Sequence, residues 1–363
     1  MTVLPMRIVF PGLKTALSIV FSAAMLLLSA PAFAKGRVEA LAERLESSPA
    51  GNDADKLPLV AALGATGDED AAAPLLKQFQ FRKARPGLLV EVAKALGRLK
   101  AKQAAGPLLA CWDHLESMRL RGELPGSLQR LRAEVVDALG RIGDKKASPV
   151  VLAALADDET AVVRAGIGAC ARLKERKAVD LLIGLASSDA VYINPVYEAL
   201  GEINDSRARA ILLRGAAGDD PSAAAAASYA LVRMGEKSGR EGLKKLAASG
   251  KGRAELLAAS YLARLDEDEG VDALLAVLND RDSPFRETAA SHLAKAGNTR
   301  AVGPVTQTLE RSKDPALRRL CVAVLAGVGG SKSIRALKDA AEDKDASVAQ
   351  AAAAGLVELG EED

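Results

Sequence analysis

One column of the sequence recurs ten times along the chain. An apolar residue, followed in most copies by glycine or alanine, appears as Leu63, Leu96, Leu139, Cys170, Leu200, Leu231, Leu262, Leu293, Leu325 and Leu356. The spacings are 33, 43, 31, 30, 31, 31, 31, 32 and 31. A period near 31 held over ten positions marks an array of small units, because a single core has no reason to repeat at fixed intervals.

Each unit reads as two short helices. Acids open it, as at Asp157-Asp158, Asp189, Asp219-Asp220, Asp314 and Asp345. An Asp there accepts from the free N–H groups of the first helix and suits its dipole. Apolar residues then fall at helical spacing, as in Leu131, Val135 and Leu139. The small residue after the anchor (Gly64, Gly97, Gly140, Gly201) lets a neighbouring backbone come close. A charged turn such as Gly143-Asp144-Lys145-Lys146 reverses the chain, and a second helix starts near a proline at 74, 107, 149 or 304. Proline is tolerated in a first turn because that N–H has no partner within the helix. Neither helix can bury both apolar flanks inside one unit, so units must stack. The expected fold is all-α: an α-solenoid, a right-handed superhelix of stacked antiparallel pairs with a period of about 31 residues.

Composition agrees. Only 3% of the 363 residues are aromatic, against 49% hydrophobic overall. An interior of Ala, Leu and Val suits closely spaced helices.

The first 34 residues read as a cleaved signal peptide rather than as fold. Arg7 and Lys14 give a basic start, residues 16–30 an apolar run, and Ala32-Phe33-Ala34 a cleavage site before Lys35. Export to the periplasm or outside the cell follows, with no stable membrane anchor left. The mature chain would carry equal numbers of acids and bases, which argues against general affinity for nucleic acid or anionic lipid. Residues 35–53 read as an N-terminal capping helix and turn, and 54–363 as the solenoid. Cys111, Cys170 and Cys321 fall in different units and read as small buried hydrophobes, too far apart to bridge.

The unit, an Asp-led helix, then A-L-G-x-[IL]-x-D, then a second helix of A-x-P-L type, resembles the short HEAT-like repeats of the phycobilisome-lyase type. Residues 135–155 and 196–216 carry it best, and the resemblance covers nearly all of 54–363. It implies an architecture and no activity. It also implies that second helices line the concave face and first helices the convex one.

The 43-residue interval departs from the pattern. Leu108, Cys111, Leu115 and Met118 continue one helical stripe and Leu128, Leu131 and Val135 a facing one. This predicts an elongated helical hairpin at about 103–140, projecting past its neighbours. Residues 77–133 hold twelve bases against four acids, so charge is polarised along the array. The residues read here as partner-binding are Arg82, Lys83, Arg85, Trp112, His114, Arg119 and Arg121.

No catalytic constellation is visible. His114 and His292 lack partners at metal-ligand spacing. The glycine-rich stretch 327–333 fails the phosphate-loop spacing. No cofactor or metal is implied. The expectation is an exported, non-catalytic scaffold that binds a protein partner through a concave helical face and a basic hairpin, and does not bind nucleic acid. The alternative is an enzyme or enzyme subunit of lyase type, with a pocket between neighbouring units.

Overall fold

The computed structural model describes residues 34–49, 53–83, 85–250 and 252–361. The expected leader, Ala34 aside, lies outside them. Twenty helices alternate between two layers. The even-numbered helices are the first of each unit: α2 (Asp53–Ala65), α4 (Pro86–Arg98), α6 (Gly126–Ile142), α8 (Thr160–Leu173), α10 (Ile193–Ile203), α12 (Pro221–Arg233), α14 (Arg253–Arg264), α16 (Arg286–Ala296), α18 (Pro315–Val328) and α20 (Ala346–Glu358). The odd-numbered ones lie between them: α1 (Ala34–Ser47), α3 (Ala72–Gln78), α5 (Ala105–Leu120), α7 (Ser148–Ala153), α9 (Val179–Ser188), α11 (Arg209–Ala216), α13 (Lys237–Ala247), α15 (Asp268–Asn279), α17 (Val302–Arg311) and α19 (Gly330–Ala341).

Acidic caps start these helices as the sequence requires. Asp220, Asp314 and Asp345 accept from the first-turn N–H groups of α12, α18 and α20. The turns inside units are capped too: Asp144, Asp205 and Asn298 each accept from the N–H two residues on. Seven anchors, Leu63, Leu96, Leu139, Cys170, Leu200, Leu293 and Leu325, have no exposed surface, and neither do the alanines just before the second helices, such as Ala147, Ala178 and Ala301.

The two layers differ in how closely they pack. Each even helix lies against the next along the whole array, whereas consecutive odd helices barely touch. At several interfaces the residue after one anchor meets the residue before the next, as for Gly64 on Ala95, Gly97 on Ala138, Gly140 on Ala169 and Gly201 on Ala230. A Cβ built on Gly140 would stand 2.6 Å from the Ala169 Cα, and one on Gly201 2.6 Å from the Ala230 Cα. Such contact is closer than any side chain larger than hydrogen allows. The layer with the closer spacing must be the inside of the bend. The first helices therefore line the concave face, the reverse of what the resemblance implies.

The bend continues until the ends meet. α20 packs on α2, and Arg37 in α1 donates to the Gly360 carbonyl beyond α20. A Cβ on Gly360 would come 2.5 Å from the Ala65 carbonyl oxygen. Gly360 lies four residues past its anchor and Ala65 two past its own, so the offset is two. That is the offset of Gly140 on Ala169 and Gly201 on Ala230, so the seam keeps the register of those interfaces. α1 also lies against α2 and α3, the place an outer helix following α20 would take. It stands at the seam, and with α20 on α2 the array closes on itself as a ring.

The buried core forms two clusters, one from Val38 to Leu262 and one from Leu256 to Leu356, interleaved on α14. Among the described residues neither cluster crosses the seam, which rests on the Arg37 and Gly360 contacts. Val357 holds the place that glycine or alanine takes in most other units, and it is 39% exposed.

Gly140→Val forces side-chain bulk against the Ala169 backbone. It is expected to cost ~1–3 kcal/mol or more by overpacking, read as a lower midpoint in urea unfolding.

Candidate functional site

The long interval is an elongated hairpin. α5 has 16 residues and α6 has 17, against 6 to 14 in the other helices, and Gly122 at φ +69° helps turn the chain between them. Trp112 is only 5% exposed and cannot meet a partner, which corrects its reading as a contact residue. Its ring lies under the Arg132 guanidinium, 5.2 Å from centroid to Cζ. Arg132 has no exposed surface. It donates to Asp157, one bond at 3.2 Å, and to Glu116 at 2.9 Å. A buried cation is costly unless paired, and here two carboxylates and a π-face hold it. Together they tie the hairpin to the turn before α8.

The other sequence-predicted residues divide. His114 is half-buried with its ring 5.6 Å from Phe81, and the exposed Arg82 lies over the same Phe81 ring at 5.9 Å. Lys83 is exposed. Arg85 pairs with Asp53 at 3.2 Å. Near the hairpin tip Arg119 pairs with Glu116 at 2.5 Å and Arg121 with Glu123 at 2.7 Å. The hydrogen bond from Arg119 holds the Glu116 carboxyl below its usual range, against an opposing effect of burial. Half of the twelve bases in 77–133 are ion-paired; Arg82, Lys83, Arg98, Lys100, Lys102 and Arg130 are not, among the described residues. Leu120 at the tip is 74% exposed, and sequence patterning alone did not single it out.

The ring has a second charged surface that sequence reasoning missed. Two residues past the anchor, the even helices carry Arg98, Arg141, Arg172, Glu202, Arg233, Arg264 and Lys295, then Gly327, Glu358 and Ala65. The signal is the letter after A-L-G. Two residues at 100° each put this position across the helix from the buried anchor, so it faces the lumen, and its arginines lean back over the preceding helix, Arg141 beside Gly97 and Arg172 beside Gly140. All even helices run parallel, so the six cations form a belt on one rim, at the helix C-termini that favour them. The hairpin tip, at the start of α6, projects from the opposite rim.

The belt is only partly neutralised. Asp137 bonds Arg141 at 2.6 Å and Arg172 at 2.8 Å. Glu202 bonds Arg233 at 2.7 Å, and Glu198 reaches over α12 to Arg264 at 2.8 Å. Arg98 and Lys295 are exposed without an ion pair. Burial opposes ionisation of Asp137, but the bond from Arg141 and the Arg172 charge outweigh it and lower its pKa. Glu134, one tier deeper, goes the other way: burial raises its pKa despite Lys94.

The three cysteines are free and buried, and burial pushes each thiol up to about 12. They are core hydrophobes, as the sequence suggested. Burial and then the Lys295 charge lower the His292 pKa. Among the described residues no group of three His, Cys, Asp or Glu stands where it could hold a metal, and no helix is long and apolar enough to cross a membrane.

Two stability measurements follow. Arg132→Met strands Asp157 and is expected to cost ~3–5 kcal/mol, as for other broken buried pairs, in chemical denaturation at neutral pH. For Glu134 the folded pKa lies above the unfolded value of about 4.3. Its protonated form favours folding below that value, and the advantage is lost as pH rises through the folded pKa. Glu134→Gln is therefore expected to gain stability over wild type across that rise, measured by melts at stepped pH.

The profile of the family described as HEAT repeats matches residues 123–194 and 302–363. No curated protein sequence matches the chain. Among solved structures, the phycocyanin lyase complex of CpcE and CpcF from Nostoc aligns with 18% identity and TM-score 0.41, over 74% of this chain and 92% of that one. Human deoxyhypusine hydroxylase aligns with 16% identity and TM-score 0.34, over 90% and 96%. Kap95p, solved with RanGDP, aligns with 14% identity and TM-score 0.41, over 95% of this chain and 55% of that one. Matched repeats inside the array and at its C-terminal end, one period throughout and one alternation of layers agree: the chain is an α-solenoid that carries HEAT-like repeats over residues 123–194 and 302–363.

Proposed function

We propose that this protein is an exported scaffold that binds a protein partner and performs no chemistry of its own. The observation that carries the reading is the inner face. Ten parallel helices hold their lumen-facing side chains in register, on a ring tied at its seam, and a rigid array of that kind spends little ordering entropy on association. The hairpin adds an exposed leucine flanked by arginines on the opposite rim. The basic start, apolar run and A-x-A site at residues 1–34 support export.

Photo-crosslinkers placed at Leu120 and at Arg98 in the expressing cell test the reading. Both are expected to trap a protein in the exported fraction. Leu120→Asp with Arg121→Glu is expected to lower trapping from the hairpin at least tenfold while the helical circular dichroism is unchanged. Unchanged trapping would sink the hairpin's role; no trapping at either position would sink the scaffold reading.

A further inference from the structure

The ring's lumen has two unlike halves, and their chemistry specifies an occupant. Resting on the scaffold reading above, we infer that the lumen takes an acidic amphipathic helix of the partner protein.

Size sets the first constraint. Ten helix axes spaced ~8–10 Å apart on a circle put opposed axes ~26–32 Å apart. Subtracting one helix diameter of ~10–12 Å leaves a lumen on the order of 15–20 Å wide. One α-helix fits that width; a folded domain does not.

Charge sets the second. From α4 to α16 the rim carries Arg98, Arg141, Arg172, Arg233, Arg264 and Lys295, all but Arg264 exposed. The acids among them, Asp137, Glu198 and Glu202, are each already bonded to a belt arginine. Arg98 and Lys295 have no ion pair, so positive charge is left over for a ligand. Electrostatic complementarity of this kind selects partners and speeds their approach.

The far side of the ring sets the third. On α18, α20 and α2 the lumen positions are Ala323 and Gly327, Ala354 and Glu358, and Ala61 and Ala65, small and apolar apart from the one carboxylate of Glu358 at the rim, with Ala323 and Ala354 exposed. These helices stand opposite α8, α10 and α12. A guest therefore meets cations on one side and methyl groups on the other, which is the demand an amphipathic helix answers. Nucleic acid answers it less well. Its phosphates would also meet Asp137, Glu198, Glu202 and Glu134, and it has nothing to set against the alanines.

The test uses the full chain and three labelled probes. One is a helix-forming peptide of about 18 residues with glutamates on one face and Leu/Ala on the other. The second has lysine for every glutamate, and the third is a single-stranded oligonucleotide. Fluorescence anisotropy is expected to show the acidic peptide binding at least tenfold tighter than the basic one, with affinity falling as salt rises. Arg98→Glu with Lys295→Glu is expected to weaken it at least tenfold, and Ala354→Asp to weaken it through the other half of the lumen. Should the double variant lose helicity, Arg98→Gln alone, at an exposed unpaired residue, is expected to weaken it about threefold. Leu120→Asp at the hairpin is expected to leave it unchanged.

Equal affinity for acidic and basic peptides overturns the inference, as does unchanged affinity in the folded belt variants. Stronger binding of the oligonucleotide overturns it in favour of nucleic acid. If the peptide fails to bind while a crosslinker at Leu120 still traps a protein, the lumen inference falls and the scaffold reading stands.

Discussion

The close contact of glycine or alanine on alanine between neighbouring inner helices is the constraint on which the architecture depends. Outer helices stay farther apart than inner ones. Two layers joined unit by unit but spaced unequally must curve toward the tighter one. Ten units of that curvature return the chain to its starting point. The ring is therefore set by the volume of a few side chains per unit, repeated, rather than by any long-range contact designed for the purpose.

One sector bends through a different device. α12 is almost pure alanine from Ala223 to Ala227 and lies buried between its neighbours. With so little bulk on it, Glu198 of α10 bonds Tyr261 and Arg264 of α14 across it, each at 2.8 Å. Tyr229 stacks on Tyr261 with ring centroids 4.7 Å apart, and Arg264 sits over the Tyr229 ring at 4.4 Å. These groups join units five and seven directly, past the one between. Burial is the largest influence holding the Tyr261 phenol well above its usual pKa, so it stays a donor to Glu198.

Much of the fold was legible because it is local. The anchor column, the Asp caps, the hairpin of the 43-residue interval and the inert cysteines all follow from residues within one unit. The direction of the bend was not, because it depends on comparing contacts in two layers, and a general resemblance supplied the wrong layer. Closure was invisible for the same reason: nothing in residues 34–47 says that their helix sits beside Gly360. For the candidate site, sequence counted charge without knowing its pairing. Arg85, Arg119 and Arg121 turned out to be engaged and Trp112 buried. The belt was written in the sequence at a fixed distance from each anchor, but only parallel helices on a closed ring make that column a surface.

The place of α1 carries a further consequence. In an open solenoid the first and last units each lack a neighbour, and such arrays fray from those ends. Here the last inner helix packs on the first and α1 bonds to the turn beyond it, so every unit has two neighbours. Cooperativity becomes cyclic: loss of any one interface leaves an intact nine-interface array instead of a shortened one. The order of units in the polypeptide is then a matter of where the circle happens to be cut, and a chain rejoined at Arg37 and Gly360 and opened at another outer turn would describe the same ring.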